Sequence, residues 1–215
     1  PPLTDSSAAS DVYKRQFYGL AEVTVGGRSC VISQTGFSGE SGYEIYLRNA
    51  TLYADDMWDA VLEAGKKHNL MVIAPAHHRR IQAGILSWGQ DLDHEHNPFQ
   101  CNLGYQVSLS GKGEWEKKGD YIGKQALEKM KADLKDGHKP YKLQLVGFEI
   151  GGKPIDEYAP DFWLVSPGDG GDPCGFITSP WYHPEKGKNI AMGYIPFDGT
   201  LNPNGFPKWE LGKKF

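Results

Sequence analysis

The sequence holds the run Thr35-Gly36-Phe37-Ser38-Gly39-Glu40-Ser41-Gly42-Tyr43-Glu44-Ile45-Tyr46-Leu47. A glycine-rich loop here leads into a strand-like run. Upstream, Val23 and Val25, then Cys30 and Ile32, alternate with polar residues, and Gly26-Gly27 between them predicts a hairpin turn. The order is therefore strand, glycine loop, strand. A phosphate loop needs a helix N-terminus after its glycines, so this is not one. The glycines are read instead as permitting close backbone approach of a ligand. Glu44 and Tyr46, two residues apart on a strand, share one face, whereas Tyr43, Ile45 and Leu47 take the other, more apolar face. A carboxylate accepts two parallel N–H bonds and a phenol ring can stack, so the pair suits a flat heterocycle with adjacent donors. A surface Glu–Tyr pair on a half-exposed strand fits the same pattern.

Working outward, Thr51 offers an N-cap, and Ala54, Met57, Trp58, Val61, Leu62 and Gly65 follow at helical spacing. Asp55 and Asp56 lie early in this helix and Lys66, Lys67 and His68 near its end, as its dipole favours. A second helix is predicted from Pro75 through Ile81, Gly84 and Ile85, and a third over Lys124–Lys131 with Ala126, Leu127 and Met130 inward. A boundary is placed in the polar stretch between Lys131 and Tyr141. Beyond it, strands are read around Leu143–Glu149, Trp163–Val165, Gly175–Thr178 and Ile190–Ile195, with another at Trp209–Leu211. Short strands with frequent Gly and Pro predict a small β-barrel or sandwich.

Composition narrows the function classes. The chain has 215 residues, 39% hydrophobic and 23% charged, with a net charge of −4, so it carries no basic footprint for nucleic acid. No apolar run approaches the roughly 20 residues of a membrane span. Cys30, Cys101 and Cys174 are odd in number and far apart, which signals neither a zinc site nor a disulfide framework and fits a reducing, cytoplasmic setting. His77 and His78 would point about 100° apart on a helix, and His94 and His96 sit in a loop, so no metal site is assigned. Pro1–Gln16 is polar and without a signal-peptide core. Its Ser6–Gln16 portion resembles a reading frame of a transposase sequencing adapter, so 1–16 is set aside as artefact, and both ends are expected to be cut.

Several segments, in order, resemble the glycine-cleavage T-protein family of aminomethyltransferases. Thr35–Ile45 is similar to that family's TGYTGEDGxEI motif, and Ala83–Asp93, Asp120–Leu127, Gly175–Ser179 and Lys188–Pro196 follow in family order. The resemblance covers nearly all of residues 17–215. It implies an α+β fold: part of a folate-binding body over 17–135, then a truncated antiparallel β-barrel over 141–215. It also implies tetrahydrofolate as cofactor, with Glu44 holding the pteridine and Tyr46, Phe37 and Trp88 as further cofactor-binding residues. The family's catalytic Asp falls upstream of Phe17, so no catalytic residue is assigned to this chain, and the chain alone is expected to be inactive.

Tyr46 resembles the folate-contacting tyrosine of the related dimethylsulfoniopropionate demethylases, which also match Asn97–Cys101 and Leu145–Ile150. An Arg that glycine-cleavage enzymes place beside the pteridine falls on Ala76 here. Both features favour a demethylase of a small methylated compound. The alternatives are the aminomethyltransferase itself, which would add a lipoyl-carrier protein as partner, a non-catalytic folate-binding protein, and the folate half of a flavin-dependent amine dehydrogenase. The related iron–sulfur assembly factors carry a Cys where this chain has Asp120, which counts against them.

Overall fold

Gly26 and Gly27 both adopt positive φ, 56° and 78°, and turn the chain from β1 (Leu20–Val25) into β2 (Arg28–Ser33). This is the glycine pair that a two-residue hairpin demands. The computed structural model describes residues 18–109, 119–157, 162–168 and 170–201. Two compact units divide these between Ile85 and Leu86.

In the first unit, β1, β2 and β3 (Glu44–Leu47) form an antiparallel meander with β2 in the centre. The register opposes Ala21 to Ile32, Val23 to Cys30, Cys30 to Leu47 and Ile32 to Ile45. These residues share one face. Helix α1 (Ala50–Gly65) lies along that face: Arg28 sits over the Tyr53 ring at 3.8 Å and pairs with Asp56 at 2.7 Å. Only Met57 of α1 is fully buried, and Trp58, expected inward, is 54% exposed. The cap differs too. Asn49, in the left-handed conformation, precedes the helix in place of Thr51, and no side chain caps it. Lys66–His68 form a separate 3-10 turn after the helix. Helix α2 spans His77–Ala83 and stops at Gly84, whose φ of 74° supplies the left-handed stop. The expected continuation to Ile85 therefore does not occur.

The second unit carries α3 (Lys124–Lys135) and a four-stranded antiparallel sheet ordered β4-β7-β6-β5. Its strands are β4 (Leu143–Ile150), β5 (Trp163–Val165), β6 (Gly175–His183) and β7 (Lys188–Pro196). One cluster, Val146, Val165, Ile177, Ala191 and Ile195, fills the sheet face; another joins Phe99, Leu134, Tyr141 and Phe197. Leu134 lies beyond the Lys131 end expected for this helix and is its one fully buried residue, while Ala126, expected inward, is exposed. Leu134 and Tyr141 share that cluster within the second compact unit. The fold is thus mixed α+β. Among the described residues the sheet is open, with β4 and β5 at its edges, so the expected barrel is not closed there. The strand expected at Trp209–Leu211 and the segment 1–16 lie outside the described residues. No described helix is long and apolar enough to cross a membrane.

Candidate functional site

Pairing of β3 with β2 sets Glu44 opposite Ser33 and Tyr46 opposite Val31, on the face away from α1. The side-chain face expected from the sequence is therefore the one formed. Glu44 and Tyr46 are both exposed, and the Tyr46 hydroxyl donates to Glu44 Oε2 at 3.2 Å. Thr35 Oγ1 donates to the same oxygen, and the Ser33 and Thr35 hydroxyls lie 2.6 Å apart. Among the described residues every bond to this carboxylate reaches Oε2, which leaves Oε1 an open acceptor. A ligand with in-plane N–H donors meets an anion whose orientation is already fixed.

The glycine loop has a second purpose that the sequence reading missed. Gly39 has φ 78°, and a β-carbon there would lie 2.3 Å from the Ala83 β-carbon. Its close approach is thus to α2. Phe37, 52% exposed, lies with its ring 5.8 Å from the guanidinium of Arg80. Arg80 itself is buried: it donates through Nε to His77 Nδ1 at 3.3 Å and through Nη1 to the Ile85 carbonyl at 3.1 Å. Arg80 thus closes the end of α2 beneath an exposed aromatic ring. Ala76, just before α2, is extended and half-buried.

Trp88 belongs to the second unit. It is 62% exposed, and its ring meets His94 edge-on at 4.9 Å. Its loop is pinned by Asp91, which is 1% exposed. Asp91 Oδ2 accepts from the Ser87 amide at 2.8 Å, and Oδ1 accepts from the hydroxyls of Thr178 and Ser179, both at 2.5 Å. Adjacent strand residues ordinarily point to opposite faces; the register shift between Ile177 and Ser179 lets both hydroxyls reach one carboxylate. The Tyr194 hydroxyl donates to the Asp91 carbonyl at 2.6 Å, and burial pushes that phenol far above its ordinary range. Nearby, His96 pairs with Asp93 at 2.7 Å, and the Glu95 amide and His96 hold the Asp93 carboxyl below its usual value. Of the four expected contacts, Glu44 and Tyr46 meet directly, while Phe37 stands over Arg80 and Trp88 sits in the other unit. The contributions of Ser33, Thr35 and Arg80 went unread. A Ser-x-Thr spacing at a strand end, which places both hydroxyls on one side, was the signal available.

The family profile described as the GCVT N-terminal domain matches residues 3–111. The chain belongs to the glycine-cleavage T-protein family. The match runs through residues 3–16 as well, the segment set aside in the sequence reading. An aminomethyltransferase of Caldanaerobacter subterraneus subsp. tengcongensis is 31% identical over 83% of this chain and 43% of its own length. One from Halothermothrix orenii is 31% identical over 85% of this chain and 46% of its own. The chain therefore spans about half the length of the curated relatives it matches. The crystal structure of the glycine cleavage system aminomethyltransferase T from Bartonella henselae has a TM-score of 0.64 over 88% of this chain and 48% of that one. At 22% identity the likeness concerns the fold. These relatives are aminomethyltransferases and lend the demethylase preference no support.

Proposed function

We propose that the protein carrying this chain transfers an aminomethyl group from a lipoyl-carrier protein to tetrahydrofolate, and that this chain supplies part of the folate site. The observation that carries the reading is the Glu44 carboxylate, anchored at Oε2 and open at Oε1. A reduced pterin presents an amino group and a ring N–H side by side, which is the donor pair such a carboxylate takes. Hydrogen bonds to a charged acceptor contribute about 1.5–3 kcal/mol each. Tyr46 would flank the ring, Phe37 would offer further aromatic surface, and the similarity to aminomethyltransferases supports this donor over a methylated sulfur compound. Bound tetrahydrofolate would supply the amine nitrogens that take the methylene carbon from sulfur and ammonia. Positioning those nitrogens is the part that Glu44 would play. The reading also takes 17–135 as folate-binding body and 141–215 as part of a barrel, with the open edges at β4 and β5 as its points of closure.

The test uses the full-length encoded protein. With aminomethylated lipoyl carrier and tetrahydrofolate, ammonia release is expected, and Glu44→Ala is expected to weaken tetrahydrofolate binding by at least about tenfold in calorimetry. Demethylation of dimethylsulfoniopropionate without ammonia release would replace this donor with a methylated one. Unchanged affinity in Glu44→Ala would make Glu44 a strand-surface residue only.

A further inference from the structure

The direction of the hydroxyl chain next to Glu44 is fixed by proton count. An ionised carboxylate only accepts, so Thr35 spends its one hydroxyl proton on Glu44 Oε2. The 2.6 Å bond between Ser33 and Thr35 must then run from Ser33 Oγ to Thr35 Oγ1. Ser33 is 8% exposed and ends the central strand, hydrogen-bonded between β1 and β3, so it is the least movable member. From that fixed point the chain passes outward through Thr35 to an exposed carboxylate on an edge strand. Tyr46 adds a second donor to the same oxygen.

We propose that Ser33 and Thr35 are positioning residues: a one-way hydroxyl relay that locks the Glu44 rotamer and turns Oε1 toward the ligand. This rests on the folate reading of Glu44 given above. An exposed glutamate unaided samples several rotamers, and holding one costs side-chain entropy on binding. The relay meets that cost before the ligand arrives, as preorganised sites do. Ser33 and Thr35 touch no ligand themselves. Their effect runs wholly through Glu44.

A double-mutant cycle on the full-length protein, read by calorimetry with tetrahydrofolate, separates the possibilities. Thr35→Val is expected to weaken binding about 3- to 10-fold, and Thr35→Ser to restore it to within about twofold. Ser33→Ala, which leaves the loop untouched, is expected to weaken binding in the same direction. In a Glu44→Ala background, Thr35→Val is expected to add nothing. Full additivity there would overturn the relay, since Thr35 would then be acting through the loop. Loss of affinity in Glu44→Ala with none in Thr35→Val and Ser33→Ala would overturn the relay and leave the folate reading standing. Undiminished binding in Glu44→Ala would overturn the folate reading, and the relay with it.

Discussion

Gly39 lies so close to Ala83 that a β-carbon on it would stand 2.3 Å from the Ala83 β-carbon. Its φ of 78° is also one that side-chain-bearing residues resist. Gly39→Ala is therefore expected to destabilise the protein by about 2–4 kcal/mol, as left-handed strain and overpacking add. Urea unfolding measures this. A loss below about 0.5 kcal/mol would mean that the loop does not rest on α2.

Asp91 is expected to matter more to stability than its place in a loop suggests. Asp91→Ala removes the acceptor for the Ser87 amide and for the Thr178 and Ser179 hydroxyls. Hydrogen bonds to a charged acceptor contribute about 1.5–3 kcal/mol each, so their loss is expected to cost about 3 kcal/mol or more. Asp91→Asn keeps an oxygen for the two hydroxyls but sets an amide against the Ser87 N–H, so an intermediate loss is expected. Unfolding midpoints of the two variants check the order; equal values would show that charge, rather than acceptor geometry, is what the site needs.

Alkali tests the burial of Tyr194. Its phenol is raised, first by burial and then by its neighbours, so the folded state favours the neutral form. That contribution is fully present below the unfolded tyrosine value, about 10, and is lost as pH rises toward the folded one. Stability above pH ~10 is expected to fall with pH, and Tyr194→Phe to make the fall shallower while lowering stability at neutral pH through loss of the bond to the Asp91 carbonyl. Tyr141, raised by the same cause, supplies part of the remaining slope. An identical slope in Tyr194→Phe would show that Tyr194 already ionises in the folded state.

Local signals read well where local physics decides. The Gly26-Gly27 turn, the strands either side of it and the shared face of Glu44 and Tyr46 all follow from φ preferences and a period of two. Helix limits read less well. Asn49 entered the left-handed region where Thr51 looked the better cap, and Leu134 extended α3 because Phe99, Tyr141 and Phe197 stood ready to bury it. All three lie outside the helix, Phe99 and Phe197 far from it in sequence, so periodicity within the helix gave no sign of them. The Glu44–Tyr46 pair was legible as sharing one strand face, but the hydroxyls that hold it were not. The parts played by Ser33, Thr35 and Arg80 depend on tertiary packing, which buries the arginine and aligns the hydroxyls. The bulge at Ile177/Ser179 was also invisible, although without it Asp91 would meet only one of its two hydroxyls.

Among the described residues the hydrogen-bond partners of Glu44 are neutral hydroxyls, so none of them cancels its negative charge. Its oxygen is steered without being neutralised. A ligand with proton donors at one end and carboxylates at the other therefore meets attraction at the first end and repulsion at the second. That difference favours one orientation over the other. Replacing either hydroxyl donor with a lysine would tighten the grip on the carboxylate and abolish that sense of direction.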